Sequence, residues 1–172
     1  MSEAVKKIQE LMKLPQKLCN MCGKCCQIAT YKGGRSYEEI LEIIENPESD
    51  PAQVEGAKDF LAIFMPCYSH ETIKEIEPEF YEKVMKQTGK PSMSFFRCRY
   101  IGEHGGCLIH EDRPSLCRMY PIPHERTIFF PGCGFEKQSI ENWEKIQEIV
   151  KEVRERHENV TRQYNEAKNK LS

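Results

Sequence analysis

Apolar positions follow a helical period over most of the chain. From Ser2 to about Leu14, Ala4, Val5, Ile8, Leu11 and Met12 share one face, and the period stops at Pro15. Gly33 and Gly34 mark a loop. Ser36 then caps a helix through Tyr37, Ile40, Leu41, Ile43 and Ile44, with Glu39 in the reciprocal capping position and Asn46–Pro47 as its stop. Two more helices are expected, from Ala52 to Met65 with Val54, Ala57, Phe60, Leu61 and Phe64 inward, and around Pro78 to Gln87 with Phe80, Val84 and Met85. Gly89 and Pro91 close the second.

The period changes at Ser94. Phe95, Phe96, Tyr100 and Ile101 favour a strand, GEHGG supplies a turn, and Cys107, Leu108 and Ile109 resume beyond it, which predicts a short hairpin bringing Cys98 near Cys107. Asp112 is expected to cap a brief helix starting near Pro114 and carrying Cys117. Pro121, Pro123 and Pro131 then enforce extended loop structure. From Ser139 onward Ile140, Trp143, Ile146, Ile149, Val150, Val153, Val160 and Tyr164 form one stripe on a helix running to the end, about 45–50 Å at ~1.5 Å per residue. The stripe is expected to be core through Val153. Beyond it Arg154 to Glu158 turn the helix polar, and its far end, up to Leu171, can pair with another copy or a protein partner.

Composition narrows the class. Hydrophobic residues make up 39% and charged residues 30%, and 25 basic against 27 acidic side chains leave a formal charge of −2. No basic face points to nucleic acid, and no apolar run approaches a membrane span. The opening MSEAVKKIQELMKL is amphipathic rather than a secretory signal, so a reducing, cytoplasmic setting is expected.

That setting decides how nine cysteines are read. Four of them, Cys19, Cys22, Cys25 and Cys26, fall within eight residues as CxxCxxCC, a spacing that lets thiolates in a tight turn converge on a metal. A disulfide framework is the competing explanation, but the count is odd and the chain is long enough to bury a core without staples. CxxCxxC is the spacing with which ferredoxins hold three corners of an iron–sulfur cubane, and the second CxxC knuckle of many zinc sites is missing here. Neighbouring Cys25 and Cys26 diverge, so two centres, or one polynuclear centre, fit better than one zinc ion. The chain is therefore expected to be mainly α with a small cysteine-rich loop and β-hairpin region. It reads as a single metal-centred domain over 1–172, with a helical insertion at about 36–90 and a C-terminal helix at about 139–172.

CxxCxxCC, Cys98, Cys107, the string RPSLCRMYP from Arg113 to Pro121, and Cys133 closely resemble the YkgJ-type cysteine-cluster family, described as zinc- or iron-chelating proteins containing iron–sulfur clusters. The resemblance rests on residues 19–26 and 98–133. It implies that Cys19, Cys22, Cys25, Cys26, Cys98, Cys107, Cys117 and Cys133 bind metal as iron–sulfur ligands, 4Fe-4S in type, with zinc as the alternative. A related cysteine cluster occurs within bacterial flagellin lysine methylases.

The other candidates carry two readings each. Arg113 and Arg118 can donate hydrogen bonds to thiolates or sulfides and so contact the cofactor, while Arg113 can equally anchor its turn on a backbone carbonyl. His104 and His110 flank Cys107 and can ligate or support the metal or stand as solvated hairpin residues, the latter being expected. Cys67 lies outside the pattern and is either a ligand or, as expected here, a buried, unligated thiol. With eight cysteines, two four-cysteine centres are expected, Cys25 and Cys26 serving different ones and neither leaving a vacant position. That favours electron transfer or a structural, interaction role. A metal-dependent protein-modifying enzyme, methyltransferase-like or hydrolytic, and a fold stapled by closed zinc sites are the alternatives; no catalytic residue is identifiable.

Overall fold

The computed structural model describes residues 2–170, with side chains through 169. The chain is mainly α with a small sheet, and it divides into two compact units. One comprises Met1–Leu18, Pro121–Thr127 and Phe135–Ser172; the other comprises Cys19–Tyr120 and Ile128–Gly134. Leu171, the end of the expected apolar stripe, lies outside the described residues. Among those described, no helix is long and apolar enough to cross a membrane.

The first unit pairs helix α1 (Glu3–Leu11) with the long C-terminal helix α8 (Glu136–Lys170). Ser2 caps α1 by accepting from the Val5 N–H, and the helix ends one turn before Pro15. Asn142 Nδ2 donates 2.7 Å to the Leu11 carbonyl, so a buried amide of α8 satisfies an orphan acceptor at the end of α1. Ile146 is buried on α8 and His124 packs on Trp143. The stripe was expected to stay in the core through Val153, but every described residue from 151 onward is exposed. The reason is length: nine residues of α1 span about 14 Å and cannot cover the roughly 52 Å of a 35-residue helix.

The second unit is built on a three-stranded antiparallel sheet in the order β1-β3-β2, formed by β1 (Ala29–Thr30), β2 (Phe64–Pro66) and β3 (Phe95–Cys98). Ala29 pairs with Phe96 on one side of β3, and Phe64 pairs with Cys98 on the other. Successive side chains of a strand face opposite ways, so Phe95 and Phe96 enter different apolar clusters. Phe95 joins Ile28, Ile73, Phe80, Val84, Met93 and Phe130, while Phe96 joins Ile40, Ile43, Ala57 and Phe60. Cys98 shares the Phe96 face and begins a third cluster with Ile63 and Ile101. Pro66 is tolerated because β2 is an edge strand.

Four helices cover this sheet: α3 (Tyr37–Glu45), α4 (Pro51–Ile63), α5 (His70–Ile76) and α6 (Pro78–Thr88). The expected capping box is present at α3, where Ser36 Oγ accepts from the Glu39 N–H and Glu39 accepts 2.7 Å from the Ser36 N–H. Asp50 and Ser69 cap α4 and α5. Gly89, at φ 61°, ends α6. Two expectations change. The helix placed over 52–65 ends at Ile63, because Phe64 and Met65 pair with β3; and the hairpin past Cys98 reduces to one bridge, Ile101 with Cys107, around a turn closed by Gly102 and Gly106. The short helix α7 (Ser115–Arg118) does carry Cys117, but Pro114, not Asp112, occupies its cap position and no side chain caps it.

Candidate metal centre

All nine cysteines lie in the sheet-containing unit, and none is disulfide-bonded. The first four are set by a turn that doubles back twice. Met21 holds φ 52° and Gly23 φ 72°, after which a four-residue helix, α2 (Lys24–Gln27), carries Cys25 and Cys26. Lys24 anchors α2 through a 2.7 Å ion pair to Glu77 and lies over the Phe130 ring. Consecutive helical side chains point about 100° apart, so Cys25 packs against the Phe95 cluster while Cys26 packs beside Cys98 and Cys117.

Two contacts bring distant cysteines to this turn. Gly23 is buried against the backbone of Gly105, and a Cβ on Gly23 would collide with the Gly105 carbonyl; the CxxCxxCC turn thereby seats directly on the loop before Cys107. Asn20 Oδ1 accepts from the Cys22 N–H, while its Nδ2 donates 2.9 Å to the carbonyl of Gly132, the neighbour of Cys133. Neither Gly23 nor Asn20 was singled out from the sequence. A glycine inside a cysteine run was the available signal.

Two neighbourhoods result. In the first, the charges of Cys19 and Cys22 act on Cys25, and the Tyr120 phenol sits within the field of Cys25 and Cys133 and also of Cys26. In the second, the charges of Cys26 and Cys107 act on both Cys98 and Cys117, and the Cys98 sulfur accepts 3.4 Å from the Tyr100 N–H. They meet at Cys25 and Cys26, whose side chains share a hydrogen bond. That bond, ahead of burial and the Cys26 charge, pushes the Cys25 thiol up; the same bond, with help from the Arg113 guanidinium, lowers Cys26 to about 7. Burial pushes Cys117 up to about 11, with Cys98, Cys26 and Cys107 adding to it. Burial also raises Cys98, and it raises Tyr120, whose ring is partly exposed although its hydroxyl is withdrawn toward the thiols.

Arg113 anchors its turn and brings its charge beside the thiols. Its Nε donates 2.9 Å to the His110 carbonyl, which fixes the turn, while its charge favours the thiolates of Cys26 and Cys117. Arg118 donates to the Arg113 and Glu111 carbonyls at 2.6 and 2.8 Å and so ties the loop that carries Cys117. His104 is exposed, and His110 lies against Arg113. Cys67 corrects an expectation: it is exposed rather than buried, and its sulfur points 3.8 Å from the Phe95 carbonyl, with Arg97 as its charged neighbour.

Clustered thiols with few alternative donors suit zinc or iron, and both neighbourhoods fit such a metal by donor chemistry. Among the described residues no three Cys, His, Asp or Glu side chains already converge as a metal-holding group. Binding therefore requires the sulfurs of a neighbourhood to close up.

Fold and site together define a thiol-rich metal-chelating domain on a helical scaffold. The family model CxxCxxCC, described as a "putative zinc- or iron-chelating domain", matches residues 18–148, and the chain belongs to that family. No curated protein and no solved structure matches it.

Proposed function

We propose that this protein holds two iron–sulfur clusters of the four-iron type and passes electrons to a protein partner. In this reading Cys19, Cys22, Cys25 and Cys133 hold one cluster and Cys26, Cys98, Cys107 and Cys117 hold the other. The supporting observation is that adjacent Cys25 and Cys26, though hydrogen-bonded to each other, pack on different clusters, Cys25 under the charges of Cys19 and Cys22 and Cys26 beside Cys98 and Cys117. In two-cluster ferredoxins, likewise, three cysteines of the run ligate one cluster and the next cysteine ligates the other.

When bound, such clusters supply reversible one-electron chemistry. The chain's own groups do the rest. Arg113 offsets negative charge at the second neighbourhood, and the Tyr100 N–H donates to a ligand sulfur, both of which raise a cluster's potential. Four thiols per centre leave no vacant position for substrate, which favours electron transfer over catalysis. Met21, Leu108, Leu116 and Met119 are exposed and each is within two residues of a proposed ligand, so apolar surface suited to a transient partner surrounds the site.

Protein purified without oxygen tests this reading. About eight irons and eight acid-labile sulfides per chain are expected, with broad visible absorption bleached by dithionite. Colourless protein holding stoichiometric zinc would overturn it.

A further inference from the structure

The exposed half of α8 carries a regular seam. Val150, Val153, His157, Val160, Tyr164 and Ala167 alternate at spacings of three and four, which are the a and d positions of a coiled coil. The same register continues backward to Trp143 and Ile146, where the first unit already uses it. Past that point the described residues leave it exposed: Val153, Val160 and Tyr164 are 44, 59 and 67% exposed. A helical stretch of about 19 fully exposed residues is marginal in water by itself.

The charges beside the seam distinguish between partners. Its flanking e and g positions from Gln147 onward hold Arg154, Arg156 and Lys168 with neutral Ile149, Thr161 and Gln163, and no acid. The acids Glu152, Glu155, Glu158 and Glu166 all fall on the outer positions, where Glu155 pairs with Lys151. Two copies of this helix would therefore face each other across cationic and neutral flanks, with no opposite charge available in either orientation. His157 at an a position fixes register, at a cost in stability that any pairing shares.

We propose that residues 150–167 of α8 dock a partner protein's amphipathic helix whose flanking e and g positions are acidic, forming a two-stranded coiled coil. The inference is independent of which metal the cysteines hold. It is tested with the full chain and two synthetic three-heptad peptides, alike in apolar a and d residues, one with Glu and one with Lys at e and g. Calorimetry should show the Glu peptide binding at least tenfold more tightly, with affinity falling as salt rises, and the chain alone should sediment as a monomer. Arg154→Glu with Arg156→Glu should invert the preference between peptides, and Val160→Asp should abolish binding at unchanged metal content. Equal affinity for both peptides, binding of neither, or a dimer that Val160→Asp dissolves would overturn the proposal.

Discussion

The helical insertion and the cysteine loops belong to one compact unit but are held by different means. Between Tyr37 and Thr88, α3 to α6 bury Ile40, Phe60, Ile73 and Val84, and side chains of Ser36, Asp50 and Ser69 cap three helix starts. In the loops, α2 and α7 are four residues long and bury nothing, the backbone takes positive φ at Met21, Gly23, Gly105 and Gly132, and Leu108 and Met119 face solvent. Apolar burial accounts for the insertion. Around the cysteines it thins to a few side chains such as Ile101 and Phe130, which leaves ligation of the thiols as the main interaction that orders the loops, since metal binding is folding free energy where the core is small.

The largest effect should therefore come from single sulfurs. Cys22→Ser and Cys117→Ser are expected to lose metal and to loosen the loops, seen as amide exchange rising over 19–27 and 98–120 while the insertion stays protected. Cys67→Ser, at an exposed thiol outside both neighbourhoods, should retain the metal and cost about 1 kcal/mol or less. Metal loss in Cys67→Ser would blur the contrast between the two regions.

The converse substitution is Phe60→Ala. Phe60 packs edge-on to Phe96 and Tyr31 and stacks on Phe64, so truncation should cost about 3–5 kcal/mol in denaturant unfolding with metal stoichiometry unchanged. Gly23→Ala ranks next. It combines positive φ with collision against Gly105, costs on the order of 3 kcal/mol, and should weaken metal binding more than it weakens the insertion.

The smallest effect lies at the α3 cap. Ser36→Ala should cost about 1 kcal/mol. The Ser36 N–H, then Lys90 and Arg35, hold the Glu39 carboxyl below its ordinary value. A depressed folded value means that this contribution is full above the ordinary glutamate pKa and is lost as pH falls through the lowered one. Glu39→Gln should flatten that acid-side decline in thermal melts, and an unchanged decline would remove Glu39 as its source.

Legibility in the sequence follows the same divide. The capping box at Ser36, the Pro78 start and Gly89 stop of α6, and the CxxCxxCC run were readable because each is a local signal. β1 and β2 were not, since two and three residues cannot display alternation and both depend on pairing with β3. α5 was missed because its seven residues bury only Ile73. The Asp112 cap failed where Pro114 took the position, and the stripe on α8 showed period without showing where α1 stops covering it. At the site, the cysteines were visible but their partition was only argued from adjacency. The seating of Gly23 on Gly105 is a contact across more than eighty residues that no spacing reveals.

Separate service by Cys25 and Cys26 is the central claim, and comparing their serine variants tests it most directly. Iron and sulfide measured in anaerobically purified Cys25→Ser and Cys26→Ser should each fall to about half, and adding Cys22→Ser to Cys25→Ser should remove no more. Complete loss of metal from either single variant, with its helix content unchanged by circular dichroism, would contradict two centres and leave one shared by all the thiols.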